Sequence, residues 1–146
     1  MGVRVPPRLQ KEPMKIIFLD DMEERHGMVT KANKGEHEII RARNVQEAIA
    51  AIIANPNVDL MCIDHDLAGP VFEKPGAKGT GSEVAQLMAK LPPEILPKEA
   101  IIHTWNEPGA QYIYHTLQGR FPIKWVPFGT DFLRTFYATS STNINP

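Results

Sequence analysis

The segment Asp59-Leu60-Met61-Cys62-Ile63-Asp64-His65-Asp66-Leu67 passes from continuous apolar side chains to carboxylate, imidazole and carboxylate without a transition. An apolar run of about four to six residues bounded by charge fits a strand buried on both faces, and in open parallel sheets ligands bind just beyond the carboxyl ends of such strands. Ile16-Ile17-Phe18-Leu19 ends in the same way, at Asp20-Asp21. If the two strands are parallel neighbours, up to four carboxylates meet at one rim. Their mutual repulsion raises pKa values unless a divalent cation sits among them. The pattern therefore predicts a site where the strands end.

The rest of the chain is compatible with one domain built around those strands. Its 146 residues are 42% apolar, enough to fill a single core of the size that commonly serves about 100–150 residues. Lys and Arg number 16 against 17 Asp and Glu, so no basic excess argues for an extended nucleic-acid surface and no acidic arm argues for a solvating tail. The single cysteine, Cys62, falls inside the predicted buried strand, reads as a small core residue and cannot form an internal disulfide. A reducing, cytoplasmic compartment fits that usage. No apolar run approaches the roughly 20 residues of a membrane span, and the N-terminus lacks a secretory h-region. Gly2 stands where a myristoylation signal starts, but Pro6 occupies the place that needs Ser or Thr.

Strands and helices alternate along the sequence. Residues 1–13 hold three prolines without periodicity and read as a flexible leader, residues 14–138 as the domain, and residues 139–146 as a polar tail. Strands are predicted at Lys15–Asp20, Glu38–Arg41, Val58–Ile63, Ala100–His103 and Ile123–Val126. Between them, helices are predicted from Glu23 to about Lys34, after the capping pair Asn44 and Glu47, after the capping pair Thr80 and Glu83, and around Ala110, Ile113, Tyr114 and Leu117. A short helix around Asp131–Tyr137 closes the domain. The connection after the third strand, about 16 residues with Gly69, Pro70, Pro75, Gly76 and Gly79, is longer than such connections usually are, and its Ala68–Gly79 part is expected to close over a ligand. Five strands alternating with helices predict a doubly wound α/β/α sandwich, three layers around a parallel sheet with right-handed crossovers. Neither G-x-G-x-x-G nor a Walker loop follows the first strand, so dinucleotide and P-loop chemistry lack their phosphate cradle.

An acidic pair after strand one, Asp64 closing strand three, Thr104 after strand four and Pro127-Phe128 after strand five resemble a response-regulator receiver domain over roughly Lys15–Tyr137. That resemblance implies the flavodoxin-like receiver topology, Mg²⁺ at the acidic pair, and Asp64 at the phosphoacceptor position. Where receivers keep a Lys before Pro-Phe, this chain has Val126, with Lys124 two residues earlier. A narrower resemblance is to the cyclic-phosphate-processing receiver family, carried by Leu19-Asp20-Asp21, Asp64-His65-Asp66-Leu67, Thr80-Gly81 and His103-Thr104-Trp105-Asn106-Glu107-Pro108-Gly109. The chain departs from that family's pattern in having Thr104 for Ser and in placing Pro108 one residue late.

Hydrolysis of a cyclic phosphodiester needs charge stabilisation, a positioned water and a proton for the leaving oxygen. We assign Asp20, Asp21 and Asp64 as candidate ligands of a divalent metal, Mg²⁺ or Mn²⁺, because hard oxygen donors suit those ions. His65, His103 and Asp66 are the candidate catalytic groups, and Thr104 and Asn106 the candidate phosphate-binding groups. Each has a plainer alternative. One of Asp20 and Asp21 can cap the first helix, His65 and His103 can satisfy buried backbone groups, and Asn106 can cap the fourth helix. Trp105 and Tyr112 can stack a base or simply pack. Two functions stay open: a metal-dependent hydrolase of cyclic or terminal phosphates on nucleotides or RNA ends, and a degenerate receiver that serves as a non-catalytic module for a protein partner.

Overall fold

A computed structural model describes residues 12–69 and 71–137, so nearly all of the predicted leader and the whole predicted tail lie outside the described residues. Five strands are present: β1 (Lys15–Leu19), β2 (Glu38–Ala42), β3 (Leu60–Ile63), β4 (Ala100–Ile102) and β5 (Ile123–Trp125). They form one parallel sheet in the order β2-β1-β3-β4-β5. This is the flavodoxin-like doubly wound order, whose direction reverses between β1 and β3 and leaves a crevice at their carboxyl ends. The helices are α1 (Glu23–Asn33), α2 (Val45–Ala54), α3 (Gly81–Met88), α4 (Glu107–Leu117) and α5 (Thr130–Leu133).

Period-two alternation explains why the strands are apolar throughout. Ile17 and Leu19 of β1, Met61 and Ile63 of β3, and Ala100 and Ile102 of β4 face a core shared with α2, α3 and α4. Ile16, Phe18, Leu60, Cys62 and Ile101 point the other way, to Val29 of α1 and to Phe128, Phe132 and Phe136 around α5. Each large side chain so buried contributes about 1.5–3 kcal/mol. Burial also pushes the Cys62 thiol well above its ordinary value, which makes it an inert core group.

Both expected capping pairs form. Asn44 accepts the Glu47 N–H at 2.8 Å while the Glu47 carboxylate accepts the Arg43 N–H at 2.8 Å. Thr80 accepts the Ser82 N–H at 3.1 Å, and Glu83 accepts the Gly79 N–H at 2.7 Å. The strands end one residue earlier than predicted at Asp20, His103 and Val126, although each of Asp20, His103 and Val126 still donates its N–H across the sheet. The last helix is shorter than predicted, tightening after Leu133 into a 3₁₀ turn over Arg134–Phe136. No helix of the described residues is long and apolar enough to cross a membrane.

Two glycines set how closely the helices approach the strand ends. Gly81 donates its N–H to the His65 carbonyl at 2.8 Å, and a methyl on Gly81 would overlap the Asp64 carbonyl oxygen. A methyl on Gly109 would lie 2.5 Å from Cγ of the fully buried His65. Gly81→Ala is expected to lower the melting temperature by several degrees, corresponding to an overpacking cost of about 1–3 kcal/mol. Ala85→Gly on the same helix would weaken it without disturbing the strand end, and its near-ultraviolet dichroism should stay that of the wild type.

Candidate functional site

Register determines which side chains meet. Leu19, Ile63, Ile102 and Trp125 lie in one row across β1, β3, β4 and β5, so the next residues are Asp20, Asp64, His103 and Val126. Alternation turns this second row toward α1 and α5, which is why the ring of His103 stacks on Phe18 at 5.0 Å and also lies 5.0 Å from Phe132. Asp20, Asp64 and His103 are all buried, and they present possible metal-ligating atoms within 4.8 Å of one another.

Asp20 is held ionised. Its Oδ1 accepts the Met22 N–H at 2.8 Å, and its Oδ2 accepts from His103 Nε2 at 2.9 Å and from Arg25 Nη1 at 3.2 Å. Burial works against the charge, but the His103 hydrogen bond leads the groups that outweigh it and keep Asp20 below the usual carboxylate range. Burial also keeps the His103 imidazole below its ordinary value, against the pull of Asp20. A neutral ring donating Nε2–H to Asp20 leaves Nδ1 as a buried atom without a partner. Asp64 goes the other way: burial first, and the neighbouring Asp20 charge second, push it up to about 8. Its Oδ1 accepts the His65 N–H at 2.9 Å, and its Oδ2 lies 3.9 Å from Arg25 Nη1.

Asp21 departs from the expected metal set. Its Oδ2 accepts the Gly69 N–H at 2.7 Å, tying the β3–α3 connection to the end of β1, and its Oδ1 is buried without a hydrogen-bond partner. The ligand-spaced group among the described residues is Asp20, Asp64 and His103. The donor chemistry suits a hard divalent ion, and the burial and Asp20 charge that push Asp64 up are what a cation would offset.

The His65 ring occupies the other side of the strand ends, under α3 and α4, and Asp66 links it to the cavity side. His65 is fully buried; Nδ1 lies 3.1 Å from Asp66 Oδ1 and Nε2 lies 2.8 Å from Ser82 Oγ. One proton arrangement satisfies the network: Gly76 N–H donates to Ser82 Oγ at 2.8 Å, the Ser82 hydroxyl to Nε2, and Nδ1–H to Asp66. Asn106 uses its whole amide within the protein, accepting the Gly109 N–H at 3.1 Å and donating to Asp66 Oδ1 at 3.1 Å and to the Glu73 carbonyl at 2.9 Å. Asn106 therefore caps α4 and steadies Asp66. Neither Asn106 nor His65 lines the open cavity.

The open part of the site is a cavity of about 180 Å³ lined by Met22, Arg25, Asp64, Asp66, Gly69, Phe72, Thr104 and Trp105. Thr104 is there as expected, its Oγ1 accepting the Asn106 N–H at 3.1 Å. Trp105 is 58% exposed, with Nε1–H donated to the Phe128 carbonyl at 3.0 Å, and Phe72 is 63% exposed. Tyr112 belongs to the packing: its hydroxyl accepts from Gln86 at 2.6 Å. Lys124 is exposed on β5 and does not line the cavity. Arg25, Ser82 and Phe72 were not singled out by sequence. The place two residues after the Thr80 cap was the available signal for Ser82; Arg25 offered none, because its partners are Asp20 and Asp64 while Asp21, four residues before it, bonds Gly69.

A family model described as the cyclic-phosphate processing receiver domain matches residues 15–119. No curated protein matches the chain. Among solved structures, the Mn²⁺-bound form of response regulator Rcp1 is similar with a TM-score of 0.58 and 17% identity, over 84% of this chain and 90% of that one. The phosphorylated cyanobacterial phytochrome response regulator RcpA gives 0.58 and 19%, over 85% and 86%. The receiver domain of NtrX from Brucella abortus gives 0.54 and 23%, over 83% and 97%.

Because folding raises the Asp64 pKa from its ordinary 3.8 to about 8, this group favours the folded state fully below about pH 4, and the contribution is lost as pH rises toward 8. Without divalent ions, the wild-type melting temperature should fall across pH 5–8.5 from this cause, and Asp64→Asn should flatten the decline and melt at or above the wild type near pH 8. A steeper decline in Asp64→Asn would contradict the assignment.

Proposed function

The chain belongs to the cyclic-phosphate processing receiver domain family, and from that premise we propose that it is a metal-dependent hydrolase of cyclic or terminal phosphates on nucleotides or RNA ends. The observation that carries this is the cavity wall, where two carboxyl groups (Asp64 and Asp66), the Arg25 guanidinium and the Thr104 hydroxyl meet between the exposed rings of Phe72 and Trp105. Acid, cation and hydroxyl suit a phosphate; flanking rings suit a base, each stacking contact being worth about 1–3 kcal/mol.

Asp20 and Asp64 would hold Mg²⁺ or Mn²⁺, with His103 next to them as a further donor. The fold's likeness to the Mn²⁺-bound Rcp1 structure supports a cation at this rim. A divalent ion bound here supplies charge for the non-bridging oxygens and a more acidic water. Thr104 accepts a backbone N–H at Oγ1, so its hydroxyl proton is available to a phosphoryl oxygen. Asp66 is the proton carrier: three donors fix its Oδ1, which leaves Oδ2 to exchange a proton with water or with the leaving oxygen. His65, locked between Ser82 and Asp66, is a positioning residue in this scheme, and Asn106 is another. The alternative, a non-catalytic module for a protein partner, is favoured by Val126, which puts an aliphatic side chain at the end of β5 where receivers keep a Lys.

A phosphate-release screen of cyclic nucleotides and RNA bearing 2′,3′-cyclic phosphate, run with Mg²⁺, Mn²⁺ and Zn²⁺, should find a turned-over substrate. On it, Asp66→Asn should cost about 10²- to 10⁴-fold in rate and Thr104→Ala roughly tenfold. Absence of release across the series, together with binding of a protein partner, would transfer the assignment to the interaction module. Treatment with acetyl phosphate followed by intact-mass measurement should show no lasting phosphoryl group on Asp64; a stable adduct abolished by Asp64→Asn would make the chain a signalling receiver.

A further inference from the structure

Among the described residues, Arg25 is the one basic side chain that lines the cavity. It projects from the first turn of α1, and a single nitrogen, Nη1, serves both acids, at 3.2 Å from Asp20 Oδ2 and 3.9 Å from Asp64 Oδ2. Its Cζ sits 4.9 Å over the ring of Phe128, which gives the guanidinium a flat apolar rest. The side chain is 21% exposed, against 0% for Asp20 and 4% for Asp64, so the charge bridges the buried acids and the open cavity. Nε and Nη2 donate to no group among the described residues.

We propose that Arg25, held between Asp20 and Asp64, is the phosphate-binding cation of this site and passes to a phosphoryl oxygen when a divalent ion takes its position. The proposal rests on the phosphate-handling reading of the cavity and assigns its positive charge to α1 instead of β5. Three considerations lead to it. A divalent ion coordinated by Asp20 and Asp64 would use the oxygens that Nη1 now contacts, and two cations within ion-pair distance repel strongly in a buried setting. Pivoting on Phe128 moves the guanidinium from the acids toward the cavity that it already lines, without unpacking α1. Guanidinium also offers paired donors that match two phosphoryl oxygens, a geometry that a lysine ammonium does not have.

Ion and phosphate should then bind with positive coupling, and coupling is reciprocal. Calorimetric titrations of the full chain with Mg²⁺ alone, with inorganic phosphate alone, and with phosphate in saturating Mg²⁺ would measure it. In the wild type, phosphate should bind at least tenfold more tightly when Mg²⁺ is present. Arg25→Gln should bind Mg²⁺ alone several-fold more tightly than the wild type, since the internal competitor is gone, and should lose at least tenfold in phosphate affinity in Mg²⁺. Arg25→Lys, which keeps the charge and loses the fork, should bind Mg²⁺ within about twofold of the wild type and phosphate several-fold more weakly. Weaker Mg²⁺ binding by Arg25→Gln, or unchanged phosphate binding by both variants, overturns the proposal. If Arg25→Gln does not fold by circular dichroism, Arg25→Lys decides alone, and wild-type phosphate affinity in it is the overturning result. None of these titrations needs turnover, so a chain that hydrolyses nothing would refute the hydrolase reading and leave this result standing.

Discussion

Two carboxylates buried side by side at the ends of neighbouring strands are the constraint around which this end of the sheet is built. Register puts Asp20 next to Asp64, with ligand atoms of the pair and of His103 within 4.8 Å of one another, a distance at which two unit charges repel by on the order of 3–4 kcal/mol at an effective dielectric of 20. Neutralisation by solvent is closed to them because both are buried. The protein divides the problem asymmetrically. Asp20 keeps its charge, supported by His103, by the Met22 N–H and by Arg25, while Asp64 holds a proton. One ionised acid is thereby matched by one guanidinium at this end of the sheet.

Alternation carried one residue past the strands separates two kinds of chemistry. The Asp20, Asp64, His103 row turns to α1 and α5, where the rings of Phe18 and Phe132 pack on His103. The following residues turn to α3 and α4, where His65 lies against Gly109 and hands its hydrogen bonds to Ser82 and Asp66. Only one residue separates Asp64 from Asp66, yet one belongs to a charge-compensating cluster and the other to a directional hydrogen-bond chain. The Thr80-Gly81 step makes that separation possible, because α3 can begin against the Asp64–His65 backbone only where no Cβ intervenes.

The parts of this arrangement that depend on period were legible in the sequence. Apolar runs of period two gave five strands, capping pairs marked α2 and α3, and a strand end at charge located Asp20, Asp64 and His103. Side-chain direction beyond a strand end was not legible, because there it depends on contacts distant in sequence. Asp21 looks like an equal partner of Asp20, but the Gly69 N–H, 48 residues away, draws its carboxylate toward the connection. His65 and Asp66 both look catalytic in the sequence, but the His65 ring is fully buried against Gly109, with Ser82 and Asp66 at its two nitrogens. Arg25 follows Glu23 and Glu24 and has the pattern of a solvated helix turn, and nothing local indicates that its target lies across two strands.

Val126 changes how ligand binding would be felt elsewhere in the molecule. A lysine at the end of β5 would place the cation on an edge strand and link the acids directly to that edge. With an aliphatic residue there, the positive charge comes from α1, on the opposite side of Asp20. Contact with the β5 side is not lost, because Arg25 rests on Phe128, the Phe128 carbonyl accepts the Trp105 indole N–H, and the Phe128 N–H donates to the His103 carbonyl at 2.8 Å. Movement of the guanidinium would thus reach the exposed Trp105 at the cavity mouth through one ring and one hydrogen bond, and β5 through Val126 and Pro127, the two residues of chain that join Phe128 to Trp125.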